Sequence, residues 1–225
     1  MEIIRYAELK PLPWRNGGGA TRELARFPAA AAGQTAAADD GTWDWRVSIA
    51  EVARAGAFSR FAGMERVLTV VDGELLLLTV DGAEHPLVKY RPFRFTGDAD
   101  AAGALPTGDI RDLNVITRAG AFKGYTSIIE LSKKRAHPVF AGQFGILLQG
   151  QATVSEGSAA EADAAGDEGE GSDDAGTAAP QPLGRYDAVV GSDTGTPEIL
   201  GRGFLAVVSI DPVDSADPGG AGAAG

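Results

Sequence analysis

The 225-residue chain is long enough to bury one large or two small β cores without help from a disulfide or a metal. It contains no cysteine, which excludes disulfides, thiolate zinc sites, iron-sulfur clusters and cysteine nucleophiles. Eight acidic residues between Glu156 and Asp174 account for most of the formal charge of -11, so the remainder carries -3 and has no excess of Lys and Arg with which to hold nucleic acid.

The sequence shows no targeting segment and no membrane span. Residues 1–19 contain no basic segment followed by an apolar run of signal-peptide length. No stretch reaches the roughly 18 uncharged apolar residues that a membrane helix needs. We therefore expect a cytoplasmic protein with no membrane partner.

The first well-patterned strand is predicted in TWDWRVSIAEV at 42–52. Because successive side chains of a strand point to opposite faces, its residues divide into two sets. The apolar set shares one face: Trp43, Trp45, Val47 and Ile49. The second set shares the other face: Asp44, Arg46, Ser48 and Ala50.

The next segment, 66–82, predicts a hairpin, because two apolar runs flank Asp72-Gly73 and a second Asp81-Gly82 follows. Further strands are predicted at PFRFTG (92–97), DLNVITR (112–118), YTSIIELS (125–132), FGILLQGQATV (144–154) and GRGFLAVVSI (201–210). No helical period is sustained over three turns. The prediction is an all-β chain with at most a short helix.

Three segments lack the apolar residues that a packed core requires. Residues 155–180 consist almost entirely of Gly, Ala, Ser, Asp and Glu, and predict a disordered acidic loop inserted in a hairpin. Residues 214–225 predict an unstructured tail, and the Ala-rich residues 28–42 are interpreted as a loop between strands. The acidic loop is interpreted as solvated, with an acidic interaction tract as the alternative.

Ligands for a metal are scarce. The only two histidines, His85 and His137, each precede a proline and form no His-x-His pair. We therefore expect no metal site and no cofactor. The glycine run that follows Asn16 lacks the phosphate-loop pattern, so unusual backbone geometry and ligand contact both remain open for it.

Arginines on polar strand faces carry the functional prediction. If both faces of the strand at 42–52 are covered, Arg46 points into an enclosed space and needs an anion there. Arg66 opens another apolar strand, and the polar residues of DLNVITR alternate with Leu113 and Val115. A guanidinium matches a carboxylate with two bonds, which favours a carboxylate pocket. The alternative is a set of structural ion pairs with acidic residues: Asp44, Glu65, Asp98 and Asp112.

Four motifs in chain order resemble the HutD/Ves family over roughly the first 120 residues. They are PWRNGGGATREL at 13–24, WDWRVSIAEVARAGAFSRFAGMERVLTVVDGELLLL at 43–78, PFRFTGD at 92–98 and DLNVITRAG at 112–120. The chain departs from the usual family pattern at Ala62, Glu65, Leu113 and Ile116. None of these departures removes an Arg or Asn, so the expected pocket is retained.

The resemblance implies an all-β double cupin of RmlC-like jelly-roll barrels. The expected domains are an N-terminal cupin half at 1–130 and a C-terminal half at 131–213, which holds the acidic insertion at about 155–180. Cupins often dimerise through sheet edges or faces, so a homodimer is expected by analogy.

The resemblance and the strand pattern together give the expected site. The ligand-binding residues are Asn16, Arg46, Ser48, Arg66, Asp112, Asn114 and Arg118. The pocket-shaping residues are Trp14, Gly17, Gly18, Phe58 and Phe61.

Three functions follow as hypotheses. The first is a metal-free cupin that binds a small carboxylate metabolite, such as formylglutamate or formimidoylglutamate, and moderates histidine utilisation. The second is a metal-free isomerase or hydrolase with Asp98 or Asp112 as general base and an arginine as anion clamp. The third is a Ves-like stress-induced protein. The fold does not choose among them.

Overall fold

The computed structural model describes residues 1–14, 16–28, 43–157 and 179–213. Their regular structure is strands and one short 3₁₀ helix, Tyr6–Glu8, which confirms the all-β prediction. The predictions for 29–42, for 158–178 of the acidic insertion and for the tail at 214–225 lie outside these residues. No helix in the described ranges is long and apolar enough to cross a membrane.

The strands follow one another along the chain with short connections. The first nine are β1 (Glu2–Ile4), β2 (Leu12–Pro13), β3 (Gly19–Phe27), β4 (Trp45–Val52), β5 (Gly56–Ala57), β6 (Met64–Asp72), β7 (Leu75–Val80), β8 (Ala83–Val88) and β9 (Phe93–Thr96). The others are β10 (Ala101–Ala104), β11 (Ile110–Arg118), β12 (Phe122–Leu131), β13 (His137–Pro138), β14 (Gln143–Glu156), β15 (Gln181–Leu183), β16 (Ala188–Val190) and β17 (Pro197–Pro212).

The strands form three sheets in two compact units. The unit that we call the motif unit comprises Lys10–Thr126 and Ile210–Gly225. It holds a six-stranded sheet in the order β2-β3-β4-β11-β6-β9 and a four-stranded sheet in the order β5-β10-β7-β8. The C-terminal unit comprises Met1–Leu9 and Ser127–Ser209, and its sheet runs β1-β16-β14-β17-β12.

The core of the motif unit joins its two sheets. Leu68 and Val70 of β6 belong to the same buried cluster as Leu76 and Leu78 of β7. This apolar face follows from the alternation of the strands, since every second residue points to the core. The face of the six-stranded sheet that contributes to this cluster is called the core face.

The turn at Asp72-Gly73 differs from its prediction. Strand β6 pairs with β11 and β9, whereas β7 pairs with β10 and β8, so the predicted hairpin at this turn is wrong. Gly73, with φ +78°, lets the chain turn sharply from one sheet into the other. The hairpin forms instead at Asp81-Gly82, where both residues have positive φ, as a tight two-residue turn requires.

Both faces of β4 are covered. Val47 and Ile49 are fully buried on one face, and Ser48 and Ala50 are 2% and 3% exposed on the other. The predicted condition is therefore met at residues 47–50, and Arg46 itself is half-buried.

The C-terminal unit has its own apolar core, built around Leu147, Val189 and Leu205. Strand β14 pairs with β15 through Val154 and Gln181, so the acidic insertion connects two paired antiparallel strands, as predicted. Strand β1 pairs with β16, so the first nine residues belong with the C-terminal unit. The division predicted from the sequence, at residue 130, instead groups residues 1–9 with the N-terminal half.

Candidate functional site

The register of the six-stranded sheet aligns polar side chains in rows across its core face. Residues directly opposite each other on neighbouring strands point to the same face. The first row is Arg26, Arg46, Ile116 and Arg66. The second row is Glu23, Ser48, Asn114 and Leu68. The third row is Thr21, Ala50, Asp112 and Val70.

These rows face the core of the motif unit, because Ala50, Leu68 and Val70 all belong to its buried cluster. The sheet therefore places the row of three arginines next to two rows that contain uncharged polar and acidic side chains. A core face is ordinarily apolar, and buried polar groups in such numbers need partners there.

Arg66 is the most deeply buried of the arginines on this face, at 4% exposed. Its Nη2 donates to Asn114 Oδ1 at 2.7 Å, and its Nη1 donates to the Ser59 carbonyl at 3.2 Å. Three aromatic rings surround the guanidinium, with Cζ 5.0 Å from the ring centre of Phe95, 5.3 Å from Phe61 and 5.5 Å from Phe58. The cation is thus held in place by hydrogen bonds and ring faces.

Asn114 links Arg66 to Asp112 through its side-chain amide. The Asn114 amide donates to Asp112 Oδ1, and Asp112 is fully buried. Asp112 Oδ2 has no hydrogen-bond partner among the described residues. Burial raises the pKa of Asp112 to about 7, although the Arg66 charge and the Asn114 hydrogen bond both act to lower it. The carboxyl therefore changes its charge near neutral pH.

Arg46 lies against two aromatic rings, one of which, Phe61, also contacts Arg66. Its Cζ is 4.8 Å from the ring centre of Trp43 and 5.2 Å from that of Phe61. The sequence placed Trp43 on the face opposite Arg46, and this is wrong because β4 begins only at Trp45 and the chain bends at Asp44. Trp43 is 1% exposed, and its Nε1 has no hydrogen-bond partner in the described ranges.

Arg26 is a core-face residue that the sequence pattern missed. Its side chain is 8% exposed, and its Nε lies 3.3 Å from Glu23 Oε1. Simple alternation from Thr21 would put Ala25 on the core face. A β-bulge between Glu23 and Ala25 shifts the register by one residue, so Arg26 takes that place.

The loop before β3 supplies part of the wall. The Trp14 indole lies 6.4 Å from the Phe58 ring, and its Nε1 donates to Thr21 Oγ1 at 2.8 Å. Trp14 and Phe58 both pack on the core cluster, so the structure brings together two of the predicted pocket-shaping residues. Phe61 joins them through its contacts with both arginines.

The glycine run has the unusual geometry that one of its two interpretations requires. Gly17 has φ +67°, and a Cβ at Gly19 would overlap the Glu51 carbonyl oxygen. Asn16 is exposed, and its Oδ1 accepts a hydrogen bond from the Gly18 amide at 2.9 Å. The contacts of this segment thus stabilise the loop itself and its approach to β4.

Arg118 and Asp98 lie in structural contacts. Arg118 donates to Asp44 Oδ1 at 2.6 Å and to the Trp43 carbonyl at 3.1 Å. Asp98 is exposed and accepts from the Gly63 amide at 3.3 and 3.2 Å. The structure therefore uses Arg118 to hold the segment before β4, and Asp98 to hold the loop before β6.

Two of the acidic partners considered from the sequence pair with other arginines. Asp44 pairs with Arg118, and Glu65 pairs with Arg94 at 2.7 Å. Asp112 acts on Arg66 through its charge and through Asn114. Within the described part of the chain, no group of three or more His, Asp or Glu side chains is placed to hold a metal ion.

A separate cleft of about 530 Å³ lies in the C-terminal unit, between the 3₁₀ helix and residues 182–187. Arg5 and Asp187 at this cleft pair with each other at 2.7 Å. Asp187 also accepts from the Tyr6 and Gly184 amides at 3.0 and 2.9 Å. This carboxylate is fully engaged in fixing the chain, so we interpret the cleft as structural.

Comparison with curated proteins finds relatives that match between half and two thirds of this chain. An uncharacterized 21.2 kDa protein in the hutC 3' region of Pseudomonas putida is 37% identical over 117 residues, which are 52% of this chain and 57% of that protein. Protein Ves of Citrobacter koseri is 34% identical over 149 residues, 64% of this chain and 71% of that protein. The chain thus matches little more than half the length of the first of these relatives.

Solved structures extend the likeness over the whole fold. HutD from Pseudomonas fluorescens has a TM-score of 0.66 at 25% identity, over 94% of this chain and 98% of that chain. A conserved protein of unknown function from Pseudomonas aeruginosa gives 0.67 at 24% identity, over 93% and 98%. A cupin 2 conserved barrel protein from Leptotrichia buccalis gives 0.53 at 8% identity, over 93% and 100%.

These likenesses confirm the predicted double-cupin fold. The model of the HutD family matches residues 6–206, which is most of the chain. The chain therefore belongs to the HutD family.

Proposed function

We propose that the protein binds a small carboxylate metabolite on the core face of the motif unit, with Arg66 as the main partner of the carboxylate. The observation that carries this proposal is a guanidinium that is 4% exposed, faces the barrel core and is ringed by aromatic side chains. A buried guanidinium favours an anion that can accept two parallel hydrogen bonds, and a carboxylate has that geometry.

The charges of the core face support an anionic ligand. Its first row carries three guanidinium groups, from Arg26, Arg46 and Arg66. The acidic groups on the same rows are Glu23 and Asp112, and burial drives Asp112 toward its neutral form. The face is therefore net positive near neutral pH, which attracts anions into a low-dielectric space.

The uncharged side chains fit the rest of such a ligand. Ser48 and Asn114 lie in the row next to the arginines and offer hydroxyl and amide donors. Trp14, Phe58 and Phe61 offer an apolar wall for a short carbon chain. Asn16, Gly17, Gly18 and Arg118 remain predicted contacts in this proposal, although the contacts of Asn16 and Arg118 described above hold their own segments of the chain.

The proposed ligand is an intermediate of histidine degradation, such as formylglutamate or formimidoylglutamate. Both carry two carboxylates, and the row of arginines offers Arg46 and Arg26 to a second carboxylate while Arg66 holds the first. The names of a hutC-region relative and of the HutD structure support the link to histidine utilisation. On this proposal the protein moderates the pathway by holding the intermediate.

A thermal-shift series tests the proposal. The series compares histidine, urocanate, formimidoylglutamate, formylglutamate, glutamate and formate, with the dimethyl ester of formylglutamate as the uncharged control. A ligand that binds only the native state raises the melting temperature. We expect a shift with formylglutamate or formimidoylglutamate and none with the ester. Equal shifts with acid and ester, or no shift with any acid, would contradict carboxylate binding.

One observation favours a second candidate, a metal-free isomerase or hydrolase. A buried carboxyl with a pKa of about 7 is suited to general base catalysis at neutral pH, and Asp112 is such a group. Following each intermediate by proton NMR in the presence of the protein separates the two functions. Product accumulation beyond one equivalent favours the enzyme, and saturable binding without product favours the binder.

A further inference from the structure

Three side chains form a continuous hydrogen-bonded chain on the core face. Arg66 Nη2 donates to Asn114 Oδ1, and the Asn114 amide donates to Asp112 Oδ1. Asp112 ends the chain, fully buried, with its Oδ2 left without a hydrogen-bond partner in the described ranges. A buried carboxyl oxygen of this kind is costly as an anion and is the atom on which a proton would reside.

The charge of this chain must change when an anion arrives. In the ligand-free protein, an ionised Asp112 balances part of the Arg66 charge across Asn114. A ligand carboxylate at Arg66 would add a second negative charge to the same buried space. Two carboxylates that share one cation in a low dielectric disfavour double ionisation, so one of them takes up a proton.

We infer that carboxylate binding at Arg66 is coupled to the uptake of one proton by Asp112, so that the protein holds its ligand more tightly as the pH falls. This inference rests on the proposed function and adds a regulation of the same site. Asn114 transmits the coupling, because it hydrogen-bonds both groups at once.

The neighbourhood of Asp112 contains few other groups that could produce such coupling. Arg66 on β6 is the charged group that acts on it, opposed by burial and joined by the Asn114 hydrogen bond. The other ionisable groups that the register places on the core face are Arg46 on β4, Arg118 on β11, and Arg26 and Glu23 on β3. On the four-stranded sheet, the residues of the shared cluster are apolar: Leu76, Leu78, Leu87 and Ala101.

His85 lies on β8, the edge strand of that opposite sheet. It lies beside Leu78 in the register and packs on Phe93, with ring centres 4.6 Å apart. His85 is an ionisable side chain outside the Arg66–Asn114–Asp112 chain, so its replacement serves as the control for the coupling.

The pH window follows from the Asp112 titration. The pKa of Asp112 is raised to about 7 in the ligand-free site, so at lower pH the proton is already bound and binding takes up little more. Above that pH the ligand-free carboxyl is ionised, and binding must bring a proton with it. The dissociation constant should then rise by up to about tenfold per pH unit until the pKa of the complex is reached.

Isothermal titration calorimetry with formylglutamate measures the coupling directly. The observed heat in two buffers of different ionisation enthalpy gives the number of protons taken up. We expect close to one proton near pH 8 and close to none near pH 6 for the unmodified protein. Formylglutamate has no amine, and its carboxyls titrate below about pH 5, so its own protons do not contribute.

Two variants complete the experiment. Asp112→Asn keeps the shape of the side chain and should take up no proton at either pH, whereas His85→Gln should behave like the unmodified protein. Binding of formylglutamate without proton uptake near pH 8 would overturn the inference and leave the proposed function intact. Uptake that persists in Asp112→Asn, or disappears in His85→Gln, would also overturn it. If neither formylglutamate nor formimidoylglutamate binds the unmodified protein, the proposed function fails together with the coupling.

Discussion

Asn114 satisfies a buried cation and a buried acid with one side chain. An amide suits this position because it has both an acceptor for the Arg66 guanidinium and a donor for the Asp112 carboxyl. A side chain with only one of these functions would leave one neighbour without this hydrogen bond at a position that is only 6% exposed. The two neighbours are therefore energetically linked through position 114.

Replacing Asn114 tests this link. Asn114→Ala removes a partner from both neighbours, and we expect the free energy of unfolding to fall by about 1–3 kcal/mol for each group left unsatisfied. Urea denaturation monitored by tryptophan fluorescence measures the change. Asn16→Ala is the matched control, because Asn16 is exposed and, among the described residues, its side chain bonds to the Gly18 amide of its own loop. Equal stability of Asn114→Ala and the unmodified protein would contradict the assigned chain.

The acidity of Asp112 predicts a pH dependence of stability. Its pKa is raised from 3.8 to about 7 on folding, so between these values the folded state binds more protons than the unfolded state. The contribution of Asp112 to the free energy of unfolding is therefore fully present below pH 3.8 and is lost as the pH rises through about 7. Relative to the unmodified protein, Asp112→Asn should gain about 2–3 kcal/mol in unfolding free energy between pH 5 and pH 8. Urea denaturation at both pH values measures the gain, and a pH-independent difference would contradict it.

At the scale of elements, β3 and β4 are held together at their ends by a close backbone approach. Gly19 faces the Glu51 carbonyl oxygen, and the Trp14 ring would lie 3.2 Å from any Cβ added there. Residue 19 is thus a glycine for reasons of space, and the position of Trp14 in the pocket wall depends on it. The same approach keeps the first strand of the site in register with the second.

Gly19→Ala should separate β3 from β4 and displace Trp14. We expect the free energy of unfolding to fall by about 1–3 kcal/mol, as for other overpacked positions, and formylglutamate to bind more weakly. Gly56→Ala is the control, because a Cβ there meets nothing within 4 Å. Thermal melts and calorimetry of both variants make the comparison, and a Gly19→Ala protein as stable as Gly56→Ala would contradict the packing argument.

The elements also show which parts of the site a sequence can predict. Strict alternation groups Ser48 with Arg46 on β4 and Asn114 with Asp112 on β11, and the register shows that both groups lie on one buried face of the sheet. The β-bulge in β3 and the bend at Asp44 break this alternation, so Arg26 and Trp43 escape prediction. A bulge depends on hydrogen bonds between strands, which a single strand pattern does not contain.

The turns, too, are only partly predictable from the sequence. Both Asp-Gly dipeptides favour tight turns, but the local sequence does not say whether the following strand pairs with its neighbour or crosses to another sheet. At the first turn, Gly73 lies against Asp109 and Ile110, and the chain crosses from β6 of one sheet to β7 of the other. At the second, Val80 pairs directly with Ala83 and the hairpin closes.

At the scale of the whole molecule, the residues of the proposed site all lie in the motif unit. Its bounds, Lys10–Thr126 with Ile210 onward, contain every predicted ligand-binding residue, from Asn16 to Arg118. Along the chain, the acidic insertion lies between strands β14 and β15, and both of these strands belong to the C-terminal unit. Binding and the insertion are therefore expected to be separable.

Replacing residues 158–178 with Gly-Ser-Gly tests this separation. Because Val154 and Gln181 are directly paired, residues 157 and 179 lie close enough for a short linker to join them. We expect the melting temperature and the affinity for formylglutamate to stay unchanged. A loss of affinity at unchanged stability would assign the acidic segment a part in binding, contrary to this account.

The central claim, that a carboxylate binds at Arg66, is tested most directly by calorimetry of Arg66→Gln with formylglutamate. The control is Arg94→Gln, which removes an arginine that pairs with Glu65 near the surface of the same unit. Loss of a buried charged partner costs about 2–5 kcal/mol, so Arg66→Gln should weaken binding by at least about thirtyfold while Arg94→Gln binds as the unmodified protein does. A folded Arg66→Gln protein that binds formylglutamate with unchanged affinity would contradict the claim.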